Sequence, residues 1–305
     1  MDAAIATGTI RTAISPATRM GVVSLTVANL ERQLAFYREI LGFRVHWRKD
    51  GRAGIGAGGE DLVELVETPG ARRVPGTTGL YHFAVLFPDR RELARAVARL
   101  FRAGYENFPT DHIETKTTYL RDPEGQEIEL YAESPEDGRM GITRDGIFAI
   151  RSNGEKSEGR EPLDLDALFS HLRPDDSLDQ SIPSETKIGH VHLYVRDVAE
   201  SVDFYTRILG FENRGVSERY QVGFVSAGGY HHHVGLNSWI GRGRPPAPEG
   251  SLGLRHFTVA LPGADDLEAM RHRLEAARID FEHRDDGLSL RDPSSHGISV
   301  VIRDR

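Results

Sequence analysis

No cysteine occurs in the 305 residues. That excludes disulfides and thiolate metal sites, so any metal centre must be built from histidine, aspartate and glutamate. No apolar run reaches bilayer length, and the first twenty residues, MDAAIATGTIRTAISPATRM, lack the continuous apolar segment of a secretory signal. These absences predict a cytoplasmic protein with a flexible tail over residues 1–19. Excess positive charge is also missing. Against 38 Lys and Arg stand 46 Asp and Glu, a formal net charge of −8, which argues against nucleic acid or an anionic membrane as partner. The glycine-rich GRAGIGAGG is not followed by a helix with a phosphate-binding pattern, so a nucleotide loop is discounted. What remains is a soluble, globular composition long enough for two cores.

The chain is built of repeats. GVVSLTVANLERQLAFYREILGF (21–43) matches GHVHLYVRDVAESVDFYTRILGF (189–211), pairing Leu30 with Val198, Leu34 with Val202, Tyr37 with Tyr205 and Leu41 with Leu209. In each copy an alternating strand pattern precedes an apolar helix face, and Gly42 or Gly210 fits the helix end. A second pair, GLYHFAVLFP (79–88) and GLRHFTVALP (253–262), runs into a helix and then into LRDPEGQEIELY (120–131) or LRDPSSHGISVV (290–301). Four modules result, each a strand, a helix and about three more strands. The predicted class is α+β: four βαβββ modules forming two curved, mostly antiparallel, half-closed barrels with helices outside. Modules one and two span 20–133, and modules three and four span 187–303. Residues 134–186 read as a linker with a possible strand at GIFAI and a short helix at LDLDALFSHL.

Aligned repeats show where ligand-capable side chains fall. Module three opens with His190 where module one has Val22. Module two opens with His82, opposite His256 of module four, and ends with Glu129, opposite Ser299. Glu64 lies on the fourth strand of module one, at the slot of Gly235 in module three. Two imidazoles and a carboxylate on one face of a metal leave positions open for substrate and oxygen. His82, Glu129 and His190 form such a set only if module two shares a barrel with module three, and module one with module four. Glu129 on a strand flanked by Ile128 and Leu130 then gains a reason to be buried. The ligand types suit Fe(II), and also Mn(II), Zn(II) or Ni(II).

The four-module pattern resembles the vicinal oxygen chelate superfamily of glyoxalase, bleomycin-resistance and extradiol dioxygenase proteins. Within it the chain is most similar to the two-barrel catechol 2,3-dioxygenases, through GLYHFAVLFPDR, SAGGYHHHVGLN and the Asp-Pro turn ending in Glu. The series His112, Tyr119, Asp122, Pro123, Glu129 resembles the extradiol signature, departing from it at Thr118, where the pattern has an apolar residue. The resemblance implies an extradiol dioxygenase acting on a small catechol-like aromatic and O2, with His82, Glu129 and His190 binding Fe(II). It further implies that Tyr119 and His112 hydrogen-bond the substrate or oxygen, and that a histidine of the YHHH run is the acid–base group. Side-chain parity with Gly235 favours His233 and His231 over His232. Two other readings are a glyoxalase-like isomerase or lyase, supported by Glu64, and a non-catalytic protein that sequesters an aromatic ligand. The pattern is compatible with either a monomer or a homo-oligomer.

Overall fold

Paired repeats lead to paired elements. A computed structural model describes residues 13–303; most of the expected 1–19 tail therefore lies outside the described residues. Module one supplies β1 (Arg19–Val27), α1 (Leu30–Ala35), β2 (Arg44–Lys49), β3 (Arg52–Gly56) and β4 (Asp61–Glu67). Module two supplies β5 (Gly79–Leu86), α2 (Arg90–Arg102), β6 (Phe108–Asp111), β7 (Thr115–Arg121) and β8 (Glu127–Glu133). The connection is more ordered than a linker. It holds β9 (Gly138–Thr143), β10 (Gly146–Arg151), β11 (Lys156–Ser157), β12 (Glu161–Pro162) and α3 (Leu165–Phe169). Module three follows with β13 (Lys187–Tyr194), α4 (Val198–Asp203), β14 (Glu212–Ser217), β15 (Val222–Ser226) and β16 (Val234–Asn237). Module four completes the chain with β17 (Gly253–Leu261), α5 (Ala264–Ala276), β18 (Phe281–Arg284), β19 (Gly287–Arg291) and β20 (Gly297–Ile302).

The helices start where the sequence offers caps. Asn29, Asp89 and Asp197 each accept a backbone N–H from three residues ahead with the side-chain oxygen. Both α1 and α4 widen into a single π-helical turn, at Phe36–Ile40 and Phe204–Ile208. Gly42 and Gly210 follow at φ 79° and 86°, the left-handed conformation that favours glycine.

The strands form two large sheets, each made from two modules. One runs β18-β19-β20-β17-β1-β4-β3-β2, joining modules four and one; the other runs β12-β6-β7-β8-β5-β13-β16-β15-β14, joining modules two and three. The seams are antiparallel pairs, β1 with β17 and β5 with β13. The sheets are curved and open, not closed barrels, with helices outside and apolar side chains between the layers. The connection adds β12 to the edge strand β6.

Helices stitch modules that the sheets separate. Arg99 of α2 donates to the carbonyls of Leu41, Leu178 and Gln180. Arg273 of α5 donates to the equivalent carbonyl of Leu209 and to Ile208. Each buried guanidinium thus satisfies carbonyls at the end of the preceding module's helix.

Candidate metal centre

The seam between β5 and β13 brings the expected ligands together. Across neighbouring strands His190 pairs with Ala84, Ala84 with Glu129, and Glu129 with Tyr119. One pleat along, His192 pairs with His82. The Asp-Pro turn sets β8 in place: Asp122 Oδ1 accepts the N–H groups of Glu124 and Gln126 at 2.8 and 2.9 Å, fixing the turn that leads into Glu129.

Glu129 Oε2 lies 3.1 Å from both His82 Nε2 and His190 Nε2. All three side chains are buried. His190 makes a hydrogen bond to the carboxylate, and Thr117 Oγ1 donates to Oε1 at 3.2 Å. His82 is equally close but lies off the direction a hydrogen bond requires. Both His82 ring nitrogens and His190 Nδ1 are buried without a hydrogen-bond partner, which is costly unless something else takes their lone pairs. Two ligand atoms about 2.1 Å from a shared ion and at right angles lie about 3 Å apart, which matches the observed separations. The donor set therefore fits a divalent cation. Burial alone would push the Glu129 carboxyl up, but the His190 and His82 imidazoles hold it well below the ordinary carboxylate range. Burial lowers His190, which stays neutral as a ligand must.

Around this centre, His112 Nδ1 is 2.6 Å from the Gly159 carbonyl and its Nε2 is 3.0 Å from Tyr119 Oη. The carbonyl can only accept, so Nδ1 carries the proton and Nε2 accepts from the Tyr119 hydroxyl. Tyr119 is held protonated by burial and by the Glu129 charge, both of which raise its pKa.

The parity reading favours His233 and His231, and the three rings of the run have different surroundings. The strand is regular from Val234, with backbone hydrogen bonds joining His233 to Val225 and Val191, while His231 and His232 lie before it. The His233 ring points toward Phe211 and Tyr230, and its Nδ1 accepts the Ala227 N–H at 3.1 Å. His232 is the ring beside the triad: its centroid is 4.1 Å from that of His190, and it stacks on Phe224 at 4.2 Å. His231 lies between them and Glu133, with its ring 5.8 Å from His190 and Nδ1 3.4 Å from the Glu133 carboxylate.

His192 gave no sequence signal beyond its place two residues after His190. It is buried, its Nε2 has no partner, and its ring lies 5.1 Å from His82. Gly235 explains how it fits, because a Cβ there would come within 2.8 Å of the His192 ring. Where module one carries Glu64, module three leaves this space to an imidazole. Tyr81 and Trp239 wall the mouth, 5.3 and 5.7 Å from His192.

The second sheet lacks the set. Val22, Thr258 and Ser299 line its cavity of about 1320 Å³, and Glu64 is taken up by Ser24 Oγ at 2.6 Å and by an ion pair with Arg52.

Residues 19–130 and 187–297 match the family described as Glyoxalase/Bleomycin resistance protein/Dioxygenase superfamily. The chain belongs to this superfamily. A catechol-2,3-dioxygenase of Bacillus subtilis (strain 168) is 38% identical over 295 residues, covering 95% of this chain and 100% of that protein. Among solved structures, a candidate dioxygenase from Bacillus subtilis superposes with TM-score 0.62 at 13% identity, over 94% of this chain and 86% of its own. Glyoxalase I from Zea mays superposes with TM-score 0.55 at 17% identity, over 94% and 92%. At such identities these two superpositions show a common fold. The superfamily fold explains the twofold repetition of sheets, and the 38% relative extends the likeness along nearly the whole chain.

Two predictions arise from this geometry. Ala84 sits between His190 and Glu129, fully buried. Ala84→Leu should crowd the space between His190 and Glu129 and abolish metal uptake, read by metal analysis after dialysis; full uptake would show the row is roomier than described. Glu133 is pushed up to about 7 by burial, against the lowering effect of the Tyr230 hydroxyl that donates to it at 2.8 Å. Between its unfolded pKa, about 4.3, and that folded value the native state holds more protons than the unfolded chain. Its contribution to stability is therefore complete at low pH and lost as pH rises through the window. Glu133→Gln should lose little midpoint on going from pH 5 to pH 8 where the wild type loses more, as read by thermal unfolding.

Proposed function

We propose that the protein is an Fe(II)-dependent extradiol dioxygenase. It opens a catechol-type ring beside the two hydroxyls and places both atoms of O2 in the ring-opened semialdehyde. The observation that carries this reading is the convergence of His82, Glu129 and His190, with Glu129 Oε2 3.1 Å from each imidazole. The 38% identity to a catechol-2,3-dioxygenase supports it. Bound Fe(II) would hold catechol and O2 next to each other at the open positions of the triad. Mn(II), Zn(II) and Ni(II) suit the same ligand types.

The protein's own groups would do the remaining work. His232, kept neutral by burial, is placed to accept a proton from a catechol hydroxyl and return it later. We assign it the acid–base role in place of His233, with His231 behind it near Glu133. Tyr119, polarised by His112, donates a hydrogen bond toward developing negative charge on oxygen. Tyr81, Trp239 and Phe224 hold the ring and exclude water. A glyoxalase-like reaction loses its main support, because Glu64 is occupied by Ser24 and Arg52 in the other sheet.

The test is oxygen uptake by protein reconstituted anaerobically with Fe(II) and then given catechol in air-saturated buffer. One O2 consumed per yellow semialdehyde formed supports the proposal. No uptake with several uncharged and acidic catechols, despite bound iron, overturns it. A hemithioacetal added to the same protein checks the isomerase reading.

A further inference from the structure

One exposed cation beside the triad has an aromatic ring beneath it and, among the described residues, no carboxylate partner. Arg160 lies in the connection between modules two and three, with its guanidinium carbon 5.6 Å from the Tyr119 ring centroid. Among the described residues it makes no hydrogen bond or ion pair, and it is exposed. The Tyr119 ring beneath it lies 5.7 Å from the His82 ring and 6.0 Å from the His112 ring, so the guanidinium sits on an aromatic side chain that borders the triad.

The backbone carrying Arg160 is fastened on both sides. Gly159, at φ 71°, gives its carbonyl to His112, and a Cβ there would meet Met140 Sδ at 2.8 Å. Glu161 pairs with Asp111 across β12 and β6 and forms an ion pair with Arg151. Two carboxylates of the adjoining strands are already engaged, and Glu158, two residues before Arg160, is exposed to solvent. Asp111 accepts from Lys116 Nζ and the Ile113 N–H, each at 2.7 Å, and Glu127 faces Arg121 at 3.6 Å. A guanidinium over an aromatic face gains only about 0.5–1 kcal/mol at an exposed site, which does not account for a fixed strap holding an unpaired charge there. A carboxylate arriving beside Tyr119 would find a two-pronged donor.

We propose that Arg160 recognises an anionic substituent on the substrate, so that the preferred substrates are catechols bearing a short carboxylate side chain. This rests on the extradiol reading and names the substrate class of the same site. An aromatic slot lined by Tyr81, Trp239 and Phe224 receives the ring, and Arg160 reads the acid at its edge.

The experiment compares 3,4-dihydroxyphenylacetate with 4-methylcatechol, using the Fe(II)-loaded full chain and the Arg160→Gln and Arg160→Lys variants. Anaerobic calorimetric binding is measured beside kcat/KM in air. The wild type is expected to favour the acid on the order of tenfold or more, as one charge-assisted hydrogen-bonded pair supplies. Arg160→Gln should remove that preference through a raised KM for the acid, with a several-fold smaller change for 4-methylcatechol, and Arg160→Lys should restore part of it. Added salt should shrink the wild-type preference. Equal acid preference in wild type and Arg160→Gln, or a wild type that disfavours the acid, overturns the proposal. Failure to turn over either compound overturns the extradiol reading instead, and the binding comparison still decides the role of Arg160.

Discussion

Glu129→Ala is expected to abolish ring cleavage while leaving the sheet intact. Replacing groups that merely orient a metal ligand costs roughly 10–100-fold in affinity or activity, so loss of a ligand should exceed that range. The carboxylate supplies the only negative charge among the three converging side chains, and its Oε2 lies 3.1 Å from both imidazoles. Alanine leaves His82 and His190 buried with still fewer partners than their unpaired nitrogens have now. The protein should nevertheless fold, because the sheet and the apolar core around it do not depend on this one side chain. Oxygen uptake and circular dichroism read the two halves of this outcome. Retention of a tenth or more of the activity in a folded variant would show that Glu129 is not a ligand.

The second large effect is on stability. Arg99 is buried, and its burial lowers it to about 10, yet it donates to three carbonyls from two separate stretches of chain, at 2.7 Å to Leu41 and 2.6 Å to Leu178. Arg95 beside it binds Gln180 Oε1 at 3.0 Å and the Ser181 carbonyl at 3.2 Å, so α2 gathers residues 177–181 against module one. Arg99→Leu keeps much of the apolar stem but strands those carbonyls. Each unsatisfied buried group costs about 1–3 kcal/mol, which puts the loss at about 3–5 kcal/mol once relaxation is allowed. Equilibrium urea unfolding measures it, and a loss below about 1 kcal/mol would mean that water replaces the guanidinium. Because Arg99 is remote from the triad, activity of the folded fraction should persist.

Much of this architecture was legible in the repeats. The alignment of Val22 with His190, His256 with His82 and Ser299 with Glu129 already implied that ligands on modules two and three had to meet, and one of the two sheets pairs those modules. Strand periodicity did not settle the YHHH run, because His231 and His232 lie before the regular part of β16. His192 was passed over because its role depends on the missing side chain of Gly235 on the neighbouring strand, a long-range complementarity with no local pattern. The connection read as a linker for a similar reason. β11 and β12 are only two residues long, and β12 acquires meaning only by pairing with β6 beside the Gly159 carbonyl that meets His112. Glu64 had the right chemistry at an aligned position, but Arg52 and Ser24, which neutralise it, come from other strands.

The most direct test is the number of Fe(II) ions bound per chain, measured anaerobically for the wild type, Glu129→Ala and Glu64→Gln side by side. One tight equivalent in the wild type, lost in Glu129→Ala and retained in Glu64→Gln, is the expected result, since among the described residues two imidazoles and a carboxylate converge in the sheet of modules two and three. Binding that survives in Glu129→Ala but disappears in Glu64→Gln would place the metal in the other sheet and contradict the site described here.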